Sequence, residues 1–215
     1  MKRATILLAD DHSLVLTGIR RLLESTFEVV GAVEDGKRLV EAALRLRPEI
    51  VVLDIGMPIL NGIDAAREIK ESLPGTKLVF ISMHSAAIYV RKAIEVGASA
   101  YVLKSGAAEE LLKAIEVARK GGTYFSPGFG LRVLDNLMKE GLESSRHVIE
   151  LTQRQRQILQ LIAEGKQNKE IAALLNISVK TIEFHRSRLM TILGVHTIAE
   201  LTRYAIQDGL VSPTE

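Results

Sequence analysis

Short apolar runs alternate with amphipathic segments over the first half of the 215-residue chain. The runs are almost continuously apolar, which is typical of parallel strands covered on both faces of a sheet. Five stretches have this pattern, at residues 4–9, 27–33, 49–55, 76–82 and 98–104. Between them, segments such as 36–47 place their apolar residues on one helical face. The pattern predicts a doubly wound, five-stranded parallel sheet, followed by a helix over residues 107–120.

The second half of the chain has a different pattern. Residues 121–130, GGTYFSPGFG, are rich in glycine, and they predict little regular structure. A helical stretch is predicted at 131–142, followed by a polar joint, and from Leu151 onward the periodicity is helical throughout. The chain is therefore predicted to have three parts, an α/β domain at 1–120, a linker with a helical segment at 121–149 and an all-α domain at 150–215.

Composition restricts the class of protein. The chain is 47% hydrophobic and 25% charged, with a formal net charge of +2, which is typical of a soluble globular protein. The absence of cysteine excludes disulfides and thiolate metal sites. The first apolar run is too short for a signal peptide, and no run approaches the roughly 18 residues that cross a bilayer. We expect a cytoplasmic protein with no membrane partner.

Polar residues follow four of the five predicted strands. They are Asp10 and Asp11 after the first, Asp54 at the end of the third, Ser82 after the fourth and Lys104 after the fifth. In doubly wound sheets, ligands bind beyond the carboxyl ends of the strands, so these side chains are expected to converge on one edge.

Each of these residues also has an ordinary interpretation. Asp11 or Ser13 could cap the next helix, Ser82 could lie in a turn, and Lys104 could be a solvated surface charge. Taken together, three carboxylates at one edge repel one another unless a cation compensates their charge. A hard cation with oxygen ligands, such as Mg2+, would compensate it.

The set of side chains suits phosphoryl chemistry. A carboxylate such as that of Asp54 can act as a nucleophile toward a phosphoryl group and form an aspartyl phosphate. Mg2+ would be held by Asp11, Asp54 and the backbone carbonyl near Gly56, with Asp10 assisting. Ser82 would hydrogen-bond one phosphoryl oxygen, and Lys104 would pair with another.

These residues match a family motif over about residues 4–120. The matching positions are Asp10-Asp11, Asp54 within DIGMP, Ser82, Tyr101 and Lys104. Together they resemble the flavodoxin-like receiver domain of bacterial two-component response regulators. The resemblance implies that Asp54 accepts a phosphoryl group from a histidine kinase, and that the chain catalyses only its own phosphorylation and dephosphorylation. It also implies a switch in which the Ser82 hydroxyl moves toward the phosphoryl group and the Tyr101 ring turns inward. As an alternative, Tyr101 is an ordinary strand aromatic.

Two positions depart from the family pattern. Met83 and Ser105 stand where many receivers have a small residue and a proline. Met83 is expected to narrow access to Asp54 and so to change the phosphorylation rate. We also hypothesise that Gly56 and His84 influence how long the phosphoryl group survives, because they flank the path of an attacking water.

The C-terminal part predicts a helix-turn-helix. Four helices are predicted there, with caps at Thr152, Asn168, Ser178 and Thr197. Thr152 and Gln155 fit the reciprocal capping pattern of the first. A short helix, a tight turn at Asn176 and a longer helix over 179–193 give the helix-turn-helix arrangement.

The third of these helices has an apolar side with Ile182 and Leu189 and a polar opposite side. Predicted DNA contacts are Lys180, Thr181, Glu183, Phe184, His185, Ser187 and Arg188. Phe184 could touch a thymine methyl group and Glu183 could accept from a cytosine amino group. As alternatives, Phe184 packs on another part of the protein and His185 is a structural histidine. Residues 151–195 contain seven Lys or Arg against three acids, which gives modest support to DNA binding.

Essentially all of residues 150–210 resembles the LuxR-type helix-turn-helix, although Gln153 and Gln155 replace its usual proline and glutamate. Joined to a receiver, this domain is similar to the NarL/FixJ class of response regulators. The resemblance implies promoter binding as a homodimer once the protein is activated. Two other hypotheses remain open: a Mg2+-dependent phosphohydrolase that uses the same acidic residues, and an interaction module that dimerises without DNA. The phosphohydrolase lacks support from an Asp-x-Asp nucleophile motif.

Overall fold

The computed structural model describes residues 3–106, 108–127 and 151–211. Within them the chain forms two compact units, an α/β unit and a helical unit, and each is described by itself. The helical stretch predicted at 131–142 and the polar joint after it lie outside the described residues.

All strands of the α/β unit are parallel and belong to one sheet. Their bounds are β1 (Thr5–Ala9), β2 (Glu28–Val33), β3 (Ile50–Asp54), β4 (Lys77–Ser82), β5 (Ala100–Leu103) and β6 (Tyr124–Phe125). The order β2-β1-β3-β4-β5-β6 places the reversal of strand order between β1 and β3. The predicted doubly wound parallel sheet is therefore confirmed.

The sheet has one strand more than the five predicted. Tyr124 and Phe125 pair with Ala100 and Tyr101 at the open edge of β5, inside the stretch that the sequence indicated as irregular. Two residues between glycines are too few to show any periodicity. The partner strand therefore supplies the order that the local sequence does not indicate.

In the described residues of this unit, five helices cover the two faces of the sheet. They are α1 (Ser13–Glu24), α2 (Gly36–Leu46), α3 (Gly62–Ser72), α4 (Ala87–Glu95) and α5 (Ala108–Arg119). Asp35 caps α2 by accepting a hydrogen bond from the Arg38 amide at 2.7 Å. The N-cap of α1 is His12, so neither of the two caps considered for that helix, Asp11 and Ser13, holds this position.

The core explains the nearly continuous apolar runs. Alternate strand residues point to opposite faces, and in this sheet both faces are covered. On one face, strand residues pack with α1 and α5, and this cluster includes Ile6, Leu8, Ile50, Val52, Val79, Ile81, Val102, Leu16, Leu23, Leu111 and Ile115. The intervening strand residues are buried as well, among them Leu7, Val51, Leu53, Leu78 and Phe80.

The helical unit has the predicted order of elements. Its helices are α6 (Gln153–Ala163), α7 (Asn168–Leu175), α8 (Val179–Leu193) and α9 (Ile198–Gln207). A single cluster of buried residues joins them, including Ile158, Leu161, Ile171, Ile182, Leu189, Leu201 and Ala205. Within the described parts of the chain, no helix combines the length and the hydropathy needed to cross a bilayer.

Side-chain caps fix the starts of three helices in this unit. Thr152 and Gln155 form the predicted capping box, since the Gln155 amide donates to Thr152 Oγ1 and the Thr152 amide donates to Gln155 Oε1. Ser178 Oγ accepts from the Thr181 amide at 3.1 Å, and Thr197 caps α9. The three predicted caps are confirmed.

The start of α7 corrects one prediction. Asn168 is the first helical residue and Gln167 is the N-cap, one position earlier than predicted. The Glu170 carboxylate accepts from the Gln167 amide at 2.7 Å, which fixes the earlier start. At the other end, Asn176 has φ 53, a left-handed conformation that asparagine tolerates, and it turns the chain toward Ser178.

Candidate functional site

The polar residues predicted at the strand ends do converge. Asp10 follows β1 and Asp54 ends β3, so both lie where the strand order reverses. Asp10, Asp11, His12 and Asp54 each offer one possible ligand atom, and these atoms all lie within 4.8 Å of one another. Asp10 is 0% exposed and Asp54 is 6% exposed, whereas Asp11 reaches solvent. We call these four residues the acidic cluster.

Lys104 is the cation that faces this cluster. Its Nζ lies 2.7 Å from Asp10 Oδ2 and 2.7 Å from Asp54 Oδ2. The Ile55 amide donates to the other carboxylate oxygen of Asp54 at 2.7 Å. Lys104 comes from the end of β5 and Asp54 from the end of β3, so the sheet brings together side chains that are 50 residues apart.

Burial and charge act in opposite directions on this pair. Burial raises the pKa of Asp54, because the attraction of the Lys104 ammonium offsets only part of the desolvation cost. Burial by itself would lower the pKa of Lys104, but the carboxylates of Asp54 and Asp10 outweigh it and raise that pKa. The lysine therefore keeps its charge.

The donor set fits a hard divalent cation. Three carboxylates face one ammonium, so the acidic cluster has an excess of negative charge even with Lys104 in place. Carboxylate oxygens are the ligands that Mg2+ prefers. Gly56, predicted to add a backbone carbonyl, is exposed in the loop after β3.

His12 is a member of the cluster that the sequence analysis did not select. Its Nδ1 lies 2.7 Å from Asp11 Oδ1 and 3.3 Å from Asp10 Oδ1. The Asp10 carboxylate also accepts a hydrogen bond from the His12 amide at 3.0 Å. Its position directly after two aspartates is the sequence signal that could have identified it.

Gly62 positions the end of β3. Its amide donates to the Ile55 carbonyl at 2.9 Å, which brings the first turn of α3 against the residues around Asp54. A Cβ atom added at Gly62 would overlap the Asp54 carbonyl oxygen. A residue without a side chain is therefore required for this close approach.

Ser82 and Tyr101 hold the loop that follows β4. Both are 0% exposed. The Tyr101 hydroxyl donates to the His84 carbonyl at 2.9 Å, and the His84 amide donates to Ser82 Oγ at 3.1 Å. Burial raises the pKa of Tyr101, so its hydroxyl remains a donor. The His84 ring also stacks on Tyr89, with centroids 4.7 Å apart.

Met83 points away from the buried core. It is 70% exposed, and it lines a surface cavity together with Lys104 and residues of α1 and α5. Its predicted effect on access to Asp54 remains a prediction.

In the helical unit, α8 presents a continuous polar side. Ile182 and Leu189 are 0% exposed and form the buried side of the helix. The exposed residues on the opposite side are Lys180, Glu183, Phe184, Ser187, Arg188 and Thr191, spaced at three and four positions. Phe184 is 60% exposed, so its ring is accessible on this side of the helix.

Two predicted DNA contacts are less accessible than the others. Thr181 and His185 are half-buried. Thr181 Oγ1 lies 2.8 Å from Ser178 Oγ, so its hydroxyl takes part in the start of α8. His185 meets the Phe184 ring edge-on at 5.7 Å, and its Nδ1 is buried with no hydrogen-bond partner among the residues described.

A doubly wound sheet with an acidic cluster at its switch point, and a separate helix-turn-helix, define a receiver joined to a DNA-binding domain. Family models agree: the response regulator receiver domain matches residues 6–116, and the bacterial regulatory proteins of the luxR family match residues 150–205. The chain belongs to the response regulators that join a receiver to a LuxR-type DNA-binding domain. It is thus a transcription-regulating protein and not a classical enzyme.

Similar proteins align along nearly the whole chain. The transcriptional regulatory protein MctR of Rhizobium johnstonii is 41% identical over 209 residues, which cover 96% of this chain and 95% of MctR. The transcriptional regulatory protein DegU of Brevibacillus brevis is 32% identical over 226 residues, covering 96% and 94%. A structure of RcsB from Salmonella enterica serovar Typhimurium, bound to a promoter in the presence of the phosphomimetic BeF3-, is 29% identical with a TM-score of 0.59. That match covers 99% of this chain and 100% of RcsB.

Proposed function

We propose that phosphorylation of Asp54 by a sensor histidine kinase controls dimerisation and promoter binding by this chain in the cytoplasm. The observation that carries the proposal is the placement of the Asp54 carboxylate, 2.7 Å from the Lys104 ammonium and inside the acidic cluster. The proposed parts are the receiver at 1–120, the linker at 121–149 and the DNA-binding domain at 150–215.

Asp54 is the proposed nucleophile. One of its carboxylate oxygens forms a bond to phosphorus while the bond between phosphorus and the kinase histidine breaks, so the imidazole leaves. Lys104 already lies against Asp54 Oδ2, and it would pair with a phosphoryl oxygen. The same residues would later position the water that hydrolyses the aspartyl phosphate. In this proposal the chain catalyses only the phosphorylation and dephosphorylation of its own Asp54.

Asp11, Asp54 and the Gly56 carbonyl would hold Mg2+, with Asp10 beside them. When bound, the cation offsets negative charge on the oxygens of the transferred group. Support comes from the excess of carboxylates over cations in the acidic cluster.

Ser82 and Tyr101 are the proposed switch. The Ser82 hydroxyl would turn to hydrogen-bond a phosphoryl oxygen and so release the His84 amide that it now accepts from. The Tyr101 ring is buried and its hydroxyl is hydrogen-bonded to the same loop, so a movement of that loop would displace Tyr101 and with it β5.

The polar side of α8 is the proposed reading surface for the major groove. Glu183 and Phe184 would contact base edges, with Ser187 and Arg188 beside them on the exposed side. Lys180, Thr181 and His185 would meet phosphates or the groove edge. A homodimer would place two such helices on two half-sites.

Phosphodonor labelling and DNA footprinting test this function together. The full chain would be incubated with acetyl phosphate and Mg2+, resolved on a phosphate-affinity gel, and footprinted across the genome with and without the donor. We expect one labelled species, none in Asp54→Asn, and donor-dependent footprints that Lys180→Ala weakens. Turnover of a small phosphoester that Asp54→Asn abolishes would instead indicate a phosphohydrolase. Dimerisation without footprints would indicate an interaction module.

A further inference from the structure

The short strand β6 is bound to β5 by more hydrogen bonds than its own two residues make. The Tyr124 amide donates to the Ser99 carbonyl at 3.1 Å, and the Ser126 amide donates to the Tyr101 carbonyl at 3.0 Å. The Leu103 amide lies beyond the end of β6, and Ser126 Oγ accepts its hydrogen bond at 3.0 Å. The serine hydroxyl thus adds one further bond to the strand pairing.

Glu110 completes this arrangement from the first turn of α5. The Ser126 hydroxyl donates a hydrogen bond to Glu110 Oε1, and the Tyr124 hydroxyl lies 3.4 Å from the same oxygen. Ser126 is only 2% exposed, and its hydroxyl donates one hydrogen bond, to Glu110, and accepts one, from the Leu103 amide. A carboxylate in the first turn of a helix is also favoured by the helix dipole. A Cβ added at Gly106 would collide with this carboxylate, so the loop before α5 leaves room for it.

The residues that β6 pairs with belong to the proposed switch. β5 carries Tyr101 and leads directly to Lys104, whose amide donates to the Ser82 carbonyl at 2.8 Å. After Ser126, the chain continues through the linker to the helical unit, whose described residues begin at 151. A signal that travels through the linker must leave the receiver through this segment.

We propose that Ser126 and Glu110 are positioning residues that bind the start of the linker to the switch strand, so that β6 moves with β5 when Asp54 is phosphorylated. The inference rests on the proposed phosphorylation of Asp54. Backbone pairing alone would hold a two-residue edge strand weakly. The half-buried Glu110–Ser126 contact fixes β6 to α5, and the Leu103 amide bond to Ser126 Oγ fixes it to β5, so β6 would follow a displacement of β5.

The test measures coupling in the full chain. The affinity for a DNA fragment taken from a footprint is determined with and without beryllofluoride and Mg2+, and the ratio of the two dissociation constants is compared between variants. In Ser126→Ala and Glu110→Ala we expect this ratio to fall toward one, by about two- to thirtyfold. Labelling of Asp54 and the affinity without beryllofluoride should stay within about twofold of the wild type. Glu110→Gln keeps an acceptor oxygen and serves as the matched control that retains the ratio.

Amide exchange at Leu103 provides a direct structural readout. In the wild type we expect beryllofluoride to change the protection of this amide, and in Ser126→Ala we expect faster exchange without any phosphoryl mimic. If Ser126→Ala does not fold, as circular dichroism would show, Glu110→Ala and the wild-type exchange measurement decide the matter.

The two levels of the proposal fail differently. If the wild type is not labelled by the phosphodonor, or if beryllofluoride does not change its DNA affinity, both the proposed function and the proposed coupling are wrong. A wild type that responds normally, together with Glu110→Ala that responds equally, would overturn the positioning role alone. If beryllofluoride does not change the exchange protection of the Leu103 amide in the wild type, the positioning role is likewise overturned.

Discussion

Replacing Lys104 with methionine tests the electrostatic account of the acidic cluster. The substitution keeps a long apolar stem but removes the only ammonium seen within 2.7 Å of the carboxylates of Asp10 and Asp54 in the described part of the chain. Side-chain exposures are 0% for Asp10, 8% for Asp54 and 10% for Lys104, so water screens this contact little. Removing one partner of such a buried pair costs about 3–5 kcal/mol. Protonation of one carboxylate limits the loss, so we expect about 3 kcal/mol.

Urea unfolding followed by circular dichroism measures this loss. The full chain would be studied in EDTA and again in Mg2+, with the transition of the α/β unit analysed separately from that of the helical unit. In EDTA we expect the free energy of unfolding to be about 3 kcal/mol lower than that of the wild type, and thermal unfolding of the same samples should give a midpoint roughly 10 °C lower. Mg2+ present at about 100 times its dissociation constant would restore about 2.7 kcal/mol. The Lys104 ammonium competes for the same carboxylate oxygens, so Mg2+ should bind the variant more tightly and stabilise it more than the wild type.

A double-mutant cycle with Asp54→Asn is the control. With the Asp54 charge already absent, Lys104→Met should cost at least about 1 kcal/mol less than it does in the wild-type background. Equal costs in the two backgrounds would refute the direct interaction. So would a Lys104→Met variant that is as stable as the wild type in EDTA.

Three further predictions concern single positions. Gly62→Ala should lose about 1–3 kcal/mol in urea unfolding and label more slowly, because the new Cβ overlaps the Asp54 carbonyl; normal labelling would contradict the close approach. Phe184→Ala should change stability by less than about 0.5 kcal/mol yet weaken DNA binding, whereas the buried control Ile182→Ala should lose about 2–5 kcal/mol. Lys180→Ala should reduce the slope of log affinity against log salt by about one, and an unchanged slope would exclude a phosphate contact.

The sheet and the three aspartates of the acidic cluster were predictable, because buried strands and the residues at their ends can both be recognised in the sequence. Each continuous apolar run forms a strand. Because the strands are parallel, the polar residues at their carboxyl ends all lie at the same edge of the sheet. Asp54 and Lys104, 50 residues apart, could be paired from that rule alone. The polar side of α8 was predictable for the same reason, since Ile182 and Leu189 fix which side is buried.

Features that depend on pairing between short, distant segments were not predictable. β6 has two residues, and its order comes from Ser126 and from β5, which no local period reveals. The start of α7 was placed one residue late because Asn168 is a good cap by type, while the reach of the Glu170 side chain to Gln167 decided the outcome. His12 was missed because its contact with Asp11 depends on side-chain geometry at the start of α1.

The exposed ring of Phe184 makes the helical unit convenient for spectroscopy. The chain contains no tryptophan, so a Phe184→Trp variant would carry a single indole on the polar side of α8. Its emission would report the polarity around this one side chain, free of any background from other indoles. Titration with mixed DNA fragments could then follow groove entry in real time, at a position whose change leaves the buried side of the helix untouched.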